Sequence, residues 1–69
     1  MAEAERRDLV ERLFADLTAE FEDAATLAAE GQGSRQSPER LTSIAAAIAE
    51  QLAEAHRLHE QVSRLLAEL

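Results

Sequence analysis

Gly31-Gln32-Gly33-Ser34-Arg35-Gln36-Ser37-Pro38-Glu39 contains the only loop chemistry in the chain, and it lies near the middle. Gly31 can take the left-handed backbone that ends a helix, and Gly33 adds freedom for a reversal. Ser37-Pro38-Glu39 then reads as a helix start. The serine hydroxyl accepts from orphan amides, proline needs no donor at the first helical position, and a carboxylate suits the positive end of the helix dipole. One interruption between two long segments means two helices. The spacing predicts a helix over 3–30, a loop over 31–37 and a helix over 38–68, in a single domain 1–69.

Upstream of the loop, Val10, Phe14, Leu17, Phe21, Ala24 and Ala28 recur at alternating spacings of four and three, the seam that keeps one helix face turned to a neighbour. Leu13 and Leu27 widen this stripe to one side. Downstream, Leu41, Ala45, Ile48, Leu52, Ala55, His59, Val62, Leu66 and Leu69 follow the same alternation, flanked by Ile44, Leu58 and Leu65. Both stripes are broader than a two-stranded coiled coil needs and match what a bundle of three or four helices covers. The expected fold is therefore all-α, an antiparallel two-helix hairpin that completes a four-helix bundle by dimerisation or by packing on a partner. The expected interface draws on Val10, Leu13, Phe14, Leu17 and Phe21 of the first helix, and on Leu41, Ile44, Ile48, Leu52, Ala55, His59, Val62 and Leu66 of the second. Folding about the loop centre sets Ala28 near Leu41, Phe21 near Ile48, Leu17 near Leu52, Phe14 near Ala55 and Val10 near His59.

A 69-residue chain sits where one core barely offsets the conformational entropy lost on folding. It has no cysteine, so neither a disulfide nor a thiolate metal site can help, and association is the expected source of extra burial. Its net charge of −7 is uneven: up to Glu30 there are nine acids against Arg6, Arg7 and Arg12, whereas from Pro38 on there are five against three arginines. Such a surface repels phosphates and anionic lipid heads, so neither nucleic acid nor membrane is an expected partner. No apolar run approaches the ~20 residues of a membrane span, and the N-terminus lacks a basic-then-apolar leader, so the expected location is cytoplasmic. Glu3 with Arg7, Asp8 with Arg12 and Glu60 with Arg64 are acid-before-base pairs at i, i+4 that support helicity.

Residues able to carry chemistry are few. His56 and His59 share a helical face with Glu60 beside them, but a di-iron bundle site needs Glu-x-x-His, and here the spacing is His-x-x-His with Glu54 and Glu60 out of phase. His59 instead reads as a polar interruption of the seam that fixes register or association state, and His56 as exposed at its margin. Glu20, Glu22 and Asp23 point in different directions around a helix, and one hairpin builds no pocket to shift their ionisation. Thr18, Thr26, Thr42, Ser43 and Ser63 have no base and orienting partner of the triad kind. Gly31-Gln32-Gly33 lacks the strand before it and the Lys-Ser or Lys-Thr after it that a phosphate loop requires. No enzyme activity and no cofactor is expected.

The plan of an acidic first helix, a glycine break at Gly31 and Gly33, and a longer second helix from Pro38 resembles the two-helix co-chaperones that help hold type III secretion needle subunits in the cytoplasm. That resemblance implies a helical-repeat chaperone as partner. Read from the residues, the first expectation is a homodimeric four-helix-bundle scaffold or dimerisation protein. A co-chaperone or adaptor bound to a heterologous helical protein is the second, and an acidic nucleic-acid mimic bound to a basic protein is the third.

Overall fold

The computed structural model describes residues 1–33 and 35–69; Ser34, part of the expected loop, lies outside the described residues. Helix α1 runs over Glu3–Gly31 and α2 over Pro38–Ala67, and the two pack against each other with no strand among the described residues. Ala, Leu, Glu and Arg fill both helices with strong helix formers, so each extends without an internal break. The rod measures 53 × 14 × 12 Å between Cα extremes.

At the start of α2 the local chemistry closes as its residues dictate. Ser37 is extended at φ −70, ψ 155, its hydroxyl accepts from the Arg40 N–H at 3.0 Å, and Pro38 opens the helix. The start of α1 has no side-chain cap on Ala2, and Glu3 and Glu5 alone face the dipole there. Gly31 does not take the expected left-handed backbone. It stays inside α1, and the positive φ of the reversal, 70°, falls on Arg35. The helix can end without a left-handed glycine because Gln32 donates to Ala29 O at 3.1 Å and Gly33 donates to Glu30 O at 3.1 Å. Gly33 sits in a tight place: a Cβ there would stand 3.2 Å from Glu30 O and 3.4 Å from Gln36 Nε2, so a larger residue would push these neighbours back by a few tenths of an ångström.

An arginine clasps each end of the hairpin. Near the loop Arg40 on α2 reaches Glu30 on α1 at 2.7 Å, and at the open end Arg6 on α1 reaches Glu68 on α2 at 3.4 Å. Between them Val10, Leu13, Leu17, Ala55, Leu58 and Val62 form one buried cluster, with Leu9 and Leu65 packed on its edge. Ile44 is buried closer to the loop, where a Cβ on Gly31 would stand 3.8 Å from its Cγ2.

Two expectations about packing are corrected here. The helices pair about one turn further along α2 than folding about the loop centre suggests, since Leu9 and Leu13 share a hollow with Gln61 and Leu65, whereas Val10 was set against His59. The seam is also rotated. Its positions are Val10, Leu13, Leu17, Ala24 and Leu27 on α1, and Ile44, Ile48, Gln51, Ala55, Leu58, Val62 and Leu65 on α2. Phe14, Phe21, Leu41, Leu52, His59 and Leu66, expected along the centre of the stripes, lie exposed on the hairpin surface. The reason is geometric. A stripe wide enough for two neighbours has two edges, and a single neighbour takes one of them; the flank holding Leu13 and Leu58 was taken, and the residues roughly 100° further round were left out.

Candidate interaction surface

Phe14 is 51 % exposed, Phe21 55 % and Leu52 55 %, all large apolar side chains and all opening onto one groove. Helix α1 supplies Phe14, Leu17, Thr18 and Phe21 to it, and α2 supplies Leu52, Ala55, His56 and His59. Leu17 and Ala55 are buried and make its floor; the rings and Leu52 make its rims. These lining residues fall near the midpoints of their helices, so the groove sits at the middle of the rod. Leu41, Leu66 and Leu69 are further exposed large apolar side chains, away from this groove.

The polar groups around it are largely committed to their own helix. The Thr18 hydroxyl donates to Phe14 O at 3.0 Å, as Thr26 and Thr42 donate to Glu22 O and Pro38 O. Each of these hydroxyls is thus bonded to the carbonyl one turn back, the geometry of a helix surface and not of a nucleophile aimed at a base. His56 Nε2 lies 3.1 Å from Glu60 Oε1, and Glu60 also reaches Arg64 at 3.8 Å. No group of three or more His, Cys, Asp or Glu able to hold a metal occurs among the described residues. Nor is any helix long and apolar enough to cross a membrane.

Nothing among known families, curated proteins or solved structures matches this chain.

One ion pair shapes the electrostatics of the α2 flank. Arg57 forks onto Glu54, with Nε 2.9 Å from Oε2 and the second arm closing on Oε1. Its hydrogen bonds hold the Glu54 carboxyl below the usual carboxylate range, and Glu54, with Glu20 of α1 adding its field, raises the Arg57 guanidinium further. Among the described residues two buried side-chain atoms have no hydrogen-bond partner, Arg6 Nε at the open end and Gln51 Oε1 in the seam.

The residues expected at an interface divide into two sets. Val10, Leu13, Leu17, Ile44, Ala55 and Val62 are buried, and Ile48 is half-buried, where the two helices of the hairpin meet. Phe14, Phe21, Leu41, Leu52, His59 and Leu66 are the ones left open to a further neighbour. Leu58, only 4 % exposed, is a core residue that the periodicity placed on the flank. The signal that could have found it is the run Ile44, Ile48, Gln51, Ala55, Leu58, Val62, Leu65, which keeps the heptad alternation but is masked by Gln51 in its middle.

Proposed function

We propose that this chain is a non-enzymatic helical interaction module whose hairpins pair through the Phe14, Phe21 and Leu52 face to make a four-helix bundle. The observation that carries the reading is the half-exposure of those three side chains around one groove. Water contact with two phenyl rings and a leucine is unfavourable at about 25 cal/mol per Å², and a neighbouring helix pair offers the shape that removes it.

Surface area supports a second copy as the neighbour. The chain exposes 4994 Å² at 7.6 kDa, whereas a compact monomer of that mass would expose about 4,300 Å². On the same scaling a compact body of twice the mass would expose about 7,100 Å², so pairing would remove about 2,900 Å² in total, within the range of obligate homodimers. The broad stripes and the small size of the chain then have one explanation.

A second reading is favoured by charge. With a net charge of −7 two copies repel, and a basic amphipathic helix of another protein would not. In that case the chain is a co-chaperone or adaptor, in line with the outline it shares with two-helix secretion co-chaperones. Sedimentation equilibrium separates the two. Twice the 7.6 kDa chain mass with one sharp thermal transition is the expected result. A chain that stays single, compact and cooperatively melting when dilute removes the pairing reading.

A further inference from the structure

The groove together with the distribution of charge fixes how a second copy would lie, and we infer that the two hairpins pair with their loops at opposite ends of the bundle. This rests on the pairing reading above. A two-fold partner can face the groove in two ways, with both loops at one end or with one loop at each end, and both give bundles in which every neighbouring helix is antiparallel. Helix dipoles therefore do not choose between them.

Charge does. Residues 16–54, the half of the rod toward the loop, hold eight acids against Arg35 and Arg40, a net of −6. Residues 1–15 and 55–69, the open half, hold six acids against five arginines, a net of −1. Loops at one end would stack two −6 halves on each other, and loops at opposite ends set each −6 half against a −1 half. The preference is strongest in dilute buffer, where the screening length reaches about 30 Å at 0.01 M salt.

The spacing of the aromatic rings agrees. Phe14 and Phe21 lie symmetrically on either side of Leu17 and Thr18, at the centre of the groove. With loops at opposite ends α1 faces the second copy's α1, and Phe14 meets the second copy's Phe21 at two equivalent places, giving edge-to-face or offset ring pairs. On α2, Leu52 then meets the second copy's His59. With loops at one end α1 would face α2, and Phe14 would meet the imidazole of His59 instead of a phenyl ring.

The chain has no cysteine, so single labels can be placed freely. A nitroxide on Gln32→Cys, an exposed residue at the loop end of α1, is read by pulsed dipolar spectroscopy in dilute buffer. Gln32 stands fourteen residues from Thr18, so the expected distance between labels in the pair is about 42 Å. Ala4→Cys, exposed and fourteen residues from Thr18 on the other side, should give the same long distance. Distances below about 25 Å at either position would put the loops together and overturn the orientation while leaving pairing intact. A sample with no dipolar coupling between chains and the mass of one chain would overturn the pairing on which the orientation depends.

Discussion

Replacing Phe21 by Ser should uncouple assembly from folding. A phenylalanine carries roughly 150–250 Å² of burial when fully enclosed. Phe21 is 55 % exposed in the single chain, so covering it would remove about 100 Å² more, a gain of about 2.5 kcal/mol per ring. A two-fold dimer covers two such rings, and the loss on substitution is about 5 kcal/mol, a weakening of the dimer by three to four powers of ten. Serine and phenylalanine differ little in intrinsic helix preference, and the ring stands outside the buried cluster of the hairpin, so helix content at high protein concentration should change little. The assay is sedimentation equilibrium over a dilution series, with circular dichroism on the same samples. Phe21→Leu keeps an apolar side chain at the rim and should lie far closer to the parent affinity than to the serine variant. A serine variant with the parent dissociation constant would refute the reasoning, because the rim would then contribute nothing to association.

Two further substitutions test the hairpin itself. Gln51→Leu removes the buried acceptor that has no partner in the seam, and it should stabilise the fold by about 1–2 kcal/mol, read as a raised midpoint in urea; an unchanged or lowered midpoint would mean that Gln51 is satisfied in solution. Arg57→Gln removes the cation that holds the Glu54 carboxyl low. A depressed carboxyl contributes stability above its unfolded value, near 4.5, and loses that contribution as pH falls through the lower folded value, so the variant should show a shallower loss of melting temperature between about pH 5 and pH 3. Equal slopes for parent and variant would count against the pair, whose solvent exposure in any case keeps the effect small.

The residues by themselves determined a large part of this protein. The break at Gly31 to Ser37 separates two runs of helix formers, and Ser37-Pro38 carries its own instruction, because a hydroxyl cap and a proline act on backbone groups within four residues and need no distant partner. The width of the apolar stripes was also legible, since 3.6-residue periodicity is a property of each helix alone.

Which edge of each stripe would be buried inside the hairpin was decided only in three dimensions. On α1, Leu13 and Phe14 are adjacent and both apolar, and on α2 each candidate seam carries one polar residue, Gln51 on the Leu58 edge and His59 on the Leu52 edge, so periodicity ranks neither edge above the other. The choice depends on how the helices roll and slide against each other with Arg6 on Glu68 and Arg40 on Glu30 at the ends, and on the small Ala55 beneath the two rings. Those are contacts between residues far apart along the chain, and periodicity within one helix contains no information about them. Rolling the pair onto the Leu13 and Leu58 edge is what left Phe14, Phe21 and Leu52 outside, and so the surface proposed to carry function is a product of tertiary packing.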